Sequence, residues 1–284
     1  MDQGEEEVLH GGNVADQVVR IGSTVRKPVT KATPAVEVLL EHLAAVGFPA
    51  APRSLGRDKQ GVTFWSTCRV SWPTPGLRSP TASWTRLGAL IHELHEATSS
   101  FVSPPDAAWQ VVIPPDRPDF ICHNDLAPWN LVHNGQRWVF IDWDGAGPGS
   151  AVWDLAYAAH TFVPLWADGE LALCAQRLRV LGDGYGVNEQ QRRELPALIA
   201  RHVRGMYDLL RDGARTGRQP WARLYAEGMA SPGATAGSSH QPEDGKAGPQ
   251  QAERDEEGVG GGEVPGGVGT APPQQLLARQ QVWG

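Results

Sequence analysis

The chain has 284 residues, 40% of them hydrophobic and 20% charged, with a formal net charge of −7. That length suits one large domain or a two-lobed one, and the charge lacks the basic face a nucleic-acid binder needs. The imbalance is uneven: residues 1–230 carry 25 acids against 22 bases, and residues 231–284 carry 7 against 3.

Cys68, Cys122 and Cys174 are odd in number, far apart and free of any C-x-x-C pair. They fit a reducing compartment and argue against a disulfide framework or a zinc site. The N-terminus, "MDQGEEEVLH", is acidic where a signal peptide would be basic and then apolar. No run of about 18 apolar residues occurs. A cytoplasmic protein without a membrane partner is expected.

In chain order, "ADQVVRIGSTVRKPV" reads as two short strands joined at Gly22-Ser23. "TPAVEVLLEHLAAVGF" reads as a helix, with Thr33 as its cap, Pro34 in its first turn and Gly47 at its end. Val36, Leu39, Leu40 and Leu43 fall on one face of that helix. The linker "TFWSTCRVSWPTPGLRSP" shows no clear pattern and does not read as a smooth strand. A helix follows from Ser79 and Pro80, with Trp84, Leu87, Ile91 and Leu94 at helical spacing. Further helices are predicted at 150–163, 168–181 and 188–213, with Pro196 marking a break or late start in the last. Residues 231–284 hold 12 Gly and 6 Pro in 54 residues and few large apolar side chains. Such a composition cannot offset ordering entropy, so a disordered tail is predicted over 230–284.

The chemistry concentrates in "ICHNDLAPWNLVHNGQRWVFIDWDGAG", residues 121–147. His123, Asp125 and Asn130 form an H-x-D-x-x-x-x-N spacing. Asn134-Gly135 between apolar segments is a strong hairpin signal, because both residues tolerate positive φ. The hairpin returns Asp142 beside Asn130. Phosphoryl transfer asks for magnesium held by oxygen ligands and a carboxylate beside the attacking hydroxyl. An Asp five residues before an Asn, then a hairpin and a second Asp, supplies those parts. Two other readings stand beside this one. One is a buried loop whose polar groups only bind backbone. The other is a metal-dependent hydrolase using His123, Asp125, Asp142 and Asp144.

"HNDLAPWN" followed by "FIDWD" resembles the aminoglycoside phosphotransferase and choline kinase-type family, within the protein-kinase-like superfamily. "LHGGNVADQVVRIGSTVRKP", "TPAVEVLLEHLAAVGFPAAPRSLGRD" and "WDLAYA" are similar to that family as well. The resemblance spans roughly residues 9–229, with a gap near 62–71. It implies an α+β, bilobal, protein-kinase-like fold. A small N-terminal antiparallel-sheet lobe over 8–70 would bind nucleotide. A larger, mainly helical lobe over 71–229 would hold the catalytic and acceptor sites. The implied activity is transfer of the ATP γ-phosphate, with Mg2+, to a small-molecule hydroxyl.

Residue by residue, the resemblance makes Asp125 the catalytic base, with His123 holding the catalytic loop. Asn130 and Asp142 become metal ligands, and Asp154 braces the loop from the next helix. Lys27 becomes the phosphate-binding lysine, and Gly11 and Gly12 would cover the phosphates. The helix carboxylate that pairs with such a lysine is replaced by Val36, with Glu37 adjacent. Asp144 either takes a direct role at the site or is an acid that lies in solvent or behind the metal ligands. Asn124 and Ala127 replace the Arg and Lys of protein kinases, and only about ten residues separate Asp142 from the next helix. The receiving site is therefore expected to be open to small molecules. No Lys or Arg occurs from Trp138 to Gln176, yet Asp142, Asp144, Asp154, Asp168 and Glu170 do. That pattern reads as a field for a cationic acceptor such as an amino sugar or amino alcohol, or as a solvated acidic face. A kinase-like nucleotide-binding module with impaired catalysis is the main alternative function. Oligomeric state is left open.

Overall fold

The structure is a computed structural model that describes residues 6–9, 18–21, 24–57, 62–66, 81–133, 137–163, 165 and 170–229. Strands β1 (Glu6–Leu9), β2 (Val18–Ile21), β3 (Thr24–Pro28), β4 (Ser54–Arg57) and β5 (Val62–Ser66) form one antiparallel sheet. Its order is β1-β2-β3-β5-β4. The predicted β2–β3 hairpin forms, pairing Ile21 with Thr24; its turn, Gly22-Ser23, lies outside the described residues.

Part of the linker departs from what its sequence predicts. The segment "VTFWS" is a regular strand, paired along its length with β3 and with β4 on its other side. Its β-branched and aromatic residues suit a pleated strand. Pairing on both sides settles what the crowded linker sequence obscured.

Helix α1 (Thr33–Ala45) packs its apolar stripe inward, with Val36, Leu39, Leu40 and Leu43 all at most 2% exposed. Thr33 does not cap it. Ala32 is the cap residue, and the Thr33 hydroxyl instead accepts from the Thr30 backbone N–H at 2.8 Å. The hydroxyl therefore stabilises the turn entering the helix. Gly47 takes a left-handed φ of 83° just past the helix end, which a Cβ would disfavour.

Helix α2 (Thr81–Ser99) buries Trp84, Leu87, Ile91 and Leu94, the four positions its spacing predicts. It crosses α4 (Leu171–Tyr185) at backbone contact. A Cβ on Gly88 would strike the Leu181 carbonyl, and one on Gly184 would strike the Thr85 carbonyl. Two glycines thus let the helices approach closely enough for His95 of α2 to meet Tyr185 of α4, Nδ1 to hydroxyl, at 2.8 Å.

The remaining helices are α3 (Ala151–Phe162), α5 (Glu189–Thr216) and α6 (Trp221–Ala226). Helix α4 starts and ends a few residues later than the pattern suggests, closing on Gly186 at φ 81°. Helix α5 opens with a reciprocal capping box between Asn188 and Gln191. It runs straight through Pro196, so the predicted break is absent. Pro196 and Arg192, whose carbonyl loses its helical partner, are both exposed. Water can serve the orphaned carbonyl there.

His202 of α5 is 3% exposed and stacks between Trp153 and Tyr157 of α3, with ring centroids 4.7 and 4.6 Å away. Burial, with His160 adding to it, pushes its pKa from the ordinary 6.5 down to about 4. The unfolded chain therefore takes up a proton on His202 that the folded one refuses between those values. Stability from this residue is complete above pH 6.5 and is lost as pH falls towards 4, by about 3 kcal/mol. His202→Phe keeps an aromatic ring in the stack and removes the titration. Urea denaturation at pH 7 and pH 4 is expected to show a smaller acid loss in this variant, by about that amount. Equal losses in the two proteins would place the acid sensitivity elsewhere.

Among the described residues, no helix is long and apolar enough to cross a membrane.

Candidate active site

The motif segment folds as two nested ladders. The outer pairs β6 (Phe120–Cys122) with β9 (Gly147–Gly149), and the inner pairs β7 (Leu131–His133) with β8 (Trp138–Phe140). The hairpin expected around Asn134-Gly135 forms as β7–β8, though the turn residues lie outside the described residues. Two loops run between the ladders, residues 123–130 on one side and 141–146 on the other. Nesting makes them face each other, and the Ile141 N–H donates to the Asn130 carbonyl at 2.8 Å. The outer ladder was not predicted, since three-residue strands leave no periodic signal.

The second residue of each loop lies in the left-handed region: Asn124 at φ 59° and Asp142 at φ 62°. Asn and Asp tolerate this conformation better than other residues with a Cβ. Asn124 also ties the loops together. Its Nδ2 donates to the Gly145 and Gly147 carbonyls at 3.3 and 3.1 Å. Asn124 stands where protein kinases carry an Arg, and nothing in its position along the chain foretells these two bonds.

Asp125 stands in the first loop with both carboxylate oxygens held. Oδ2 accepts from Asn130 Nδ2 at 2.7 Å, and Oδ1 from the Tyr157 hydroxyl at 2.6 Å. Asn130 Nδ2 also donates to the Asp125 carbonyl at 2.9 Å. The amide hydrogens of Asn130 therefore point at Asp125, and its carbonyl oxygen is the atom left to act as a ligand.

His123 is fully buried. Its Nδ1 accepts from the Asp125 N–H at 3.2 Å, and its Nε2 donates to the Ile141 carbonyl at 3.1 Å. Burial pushes its pKa below the ordinary histidine range, with Asp154 and Asp142 only partly offsetting it. A neutral ring is what those two bonds require. His123 thus joins the two loops and presents no ring nitrogen to a substrate.

Asp154, fully buried on α3, accepts from the backbone N–H of His123 at 3.1 Å and of Asn124 at 2.9 Å. It also accepts from His95 Nε2 at 3.1 Å. Burial works to raise its pKa, but His95 and the loop N–H outweigh it and hold the carboxyl below the ordinary value. Behind it, His95 leans on Tyr185. These two supports were not found from sequence; on α2 and α4 they read as ordinary helix residues. Cys122 beside the loop is buried, and burial pushes its thiol pKa up, so it packs as a neutral thiol.

Lys27 comes from the middle of the sheet. Its ammonium lies 2.6 Å from Asp142 and 3.2 Å from Asp144. Burial opposes its charge, but the two carboxylates outweigh that and raise its pKa above the ordinary lysine value. Lys27 is 12% exposed, whereas Asp142 and Asp144 are 37% and 39% exposed, so the carboxylates remain open to solvent. Val36, where a helix carboxylate would stand, is buried at 2%. Gly11 and Gly12 lie outside the described residues, as do Asp168 and the tail.

Asn130 and Asp142 suit a hard cation, since both offer oxygen. Among the described residues no three His, Cys, Asp or Glu side chains gather into a metal cage. Two protein oxygens completed by nucleotide phosphates and water are the usual way magnesium is held.

A bundle of helices beside a small antiparallel sheet, with a lysine, an acid pair and an Asp–Asn loop meeting between them, defines a kinase-like fold. Comparison with known proteins agrees. The model of the Phosphotransferase enzyme family (APH) matches residues 67–195. The chain is 31% identical over 201 residues to the trifolitoxin immunity protein of Rhizobium leguminosarum bv. trifolii, covering 66% of this chain and 77% of that protein. This protein belongs to the phosphotransferase enzyme family. Two solved structures share its fold. A choline/ethanolamine kinase family protein from Mesorhizobium loti superimposes with a TM-score of 0.58 at 17% identity, over 81% of this chain and 87% of that one. An amicoumacin kinase in complex with AMP-PNP, Ca2+ and Ami superimposes with a TM-score of 0.59 at 12% identity, over 73% of this chain and 81% of that one.

Proposed function

We propose that this protein transfers the γ-phosphate of ATP to a hydroxyl of a small acceptor of the aminoglycoside or amino-alcohol type. The observation that carries this reading is the meeting of Lys27 with Asp142 and Asp144 across 115 and 117 residues of chain, next to the Asp125–Asn130 pair. A lysine from the sheet and oxygen ligands from the loops are the parts that phosphoryl transfer needs in one cleft.

In this scheme Asp125 accepts the proton of the acceptor hydroxyl as its oxygen bonds to the γ-phosphorus. The bond from that phosphorus to the β–γ bridging oxygen breaks, and ADP leaves with the electron pair. Asn130 and Asp142 would hold magnesium, which supplies charge neutralisation on the phosphates. Lys27 would bind phosphate oxygens, and the acid pair beside it would keep it charged. Asp144 adds negative charge to the same cleft. The stretch free of Lys and Arg from Trp138 to Gln176 supports an acceptor bearing amines. One relative is named for immunity to trifolitoxin, and one structural neighbour for its action on amicoumacin. Both compounds therefore belong among the acceptors tried. A cytoplasmic setting, where ATP is abundant, suits the reaction.

The test has two stages. Mg·ATP at a hundred times its Kd is expected to stabilise the protein by about 2.7 kcal/mol, read as a rise in melting temperature. Labelled γ-phosphate is then offered to aminoglycosides, choline, ethanolamine, amicoumacin and trifolitoxin, and transfer to one class is expected. Stabilisation without transfer to any acceptor would favour a nucleotide-binding module. Metal-dependent hydrolysis without nucleotide would favour a hydrolase.

A further inference from the structure

Helix α3 holds the loop of Asp125 at three successive points. Asp154 takes the N–H groups of His123 and Asn124. The Tyr157 hydroxyl donates to Oδ1 of Asp125 at 2.6 Å. The Thr161 hydroxyl donates to the Leu126 carbonyl at 2.8 Å. Spacings of three and four place all three on one face of a helix. Two of these contacts hold backbone. The one from Tyr157 holds the carboxylate itself.

The terminal torsion of an Asp side chain is broad and roughly two-fold. A single hydrogen bond, from Asn130 to Oδ2, leaves the carboxylate plane free to swing about that anchor. A second donor on the other oxygen fixes it. The Tyr157 ring is itself held, 6% exposed and stacked at 4.6 Å on His202. Its hydroxyl is therefore a fixed point rather than a wandering surface group.

We propose that Tyr157 is a positioning residue: its hydroxyl pins Oδ1 of Asp125 and sets the plane in which the carboxylate meets the acceptor hydroxyl. This rests on the phosphotransferase reading above. Each carboxylate oxygen has lone-pair capacity beyond one donor, so the acceptor can still approach while Tyr157 stays bound. Tyr157→Phe removes one oxygen atom and leaves the ring stack in place.

Steady-state transfer to an acceptor from the panel tests the idea. Tyr157→Phe is expected to lower kcat by roughly tenfold to a hundredfold, the scale on which small misplacement of a reacting group acts, with KM for Mg·ATP unchanged. On an Asp125→Asn background the same substitution is expected to cost nothing further, because the group it positions is gone. Tyr157→Leu, which also empties the ring's place, serves as the packing control. If Tyr157→Phe keeps the wild-type kcat while Tyr157→Leu fails, Tyr157 is packing alone and the proposal is wrong. A full additional loss in the double variant would overturn it too, by showing that Tyr157 acts independently of Asp125. Wild-type protein that binds Mg·ATP yet phosphorylates nothing would sink the functional reading and this proposal with it. An active wild type with an unaffected Tyr157→Phe sinks only the latter.

Discussion

Asp125→Asn is expected to lower phosphate transfer by about 10³-fold, within the range that a positioned general base contributes. The substitution is nearly isosteric, and the surrounding bonds can survive it. The amide oxygen can accept from Asn130, which now approaches Oδ2 at 2.7 Å. The amide nitrogen can donate to the Tyr157 hydroxyl, which accepts as readily as it donates. What the amide cannot do is take a proton from an alcohol. Stabilisation by Mg·ATP should therefore persist while turnover collapses, a split visible in a melting curve and a transfer assay on one preparation. Undiminished turnover would remove Asp125 from the mechanism.

The second large effect is on stability. Asp154→Ala is expected to destabilise the fold by about 3–5 kcal/mol, the scale for breaking a buried charged network on one side. Three donors converge on this carboxylate: the His123 and Asn124 N–H groups and His95 Nε2. None of these partners lies in open solvent. Removing the acceptor leaves buried N–H groups unsatisfied, each at about 1–3 kcal/mol. Against a typical stability of about 5–15 kcal/mol, that loss is large. Asp154→Asn keeps one acceptor oxygen and should cost less. Urea denaturation of both variants checks the order. An alanine variant as stable as wild type would mean that the loop is held mainly by Thr161 and the His123 bridge.

Much of the site is legible in the linear sequence because it is built locally. Within 20 residues the motif gives a carboxylate, an amide and, through a hairpin, a second carboxylate. A turn signal and strand pairing suffice to bring Asn130 next to the segment that carries Asp142. The faces of α1 and α2 are equally plain, since burying a stripe of Leu and Ile against a neighbour leaves a periodic trace. Where local cues misled, a second interaction outweighed them. Thr33 has a better partner in Thr30 than in the helix N-terminus, Pro196 sits at an exposed position where water can replace its missing bond, and β5 is fixed by strands on both sides.

What the sequence by itself determined is thus the local build of one loop and the class of fold around it. Tertiary structure alone decided the rest: that Lys27 reaches Asp142 and Asp144, that His95 and Tyr185 stand behind Asp154, and that Tyr157 touches Asp125. These partners come from separate elements, and their distances depend on how helices and sheet pack, down to the two glycines that let α2 and α4 meet. A tyrosine on an otherwise apolar helix looks like core until the loop beside it is in place. Spacing along the chain can encode contacts across one turn or one hairpin, but not those that arise when distant surfaces are buried together.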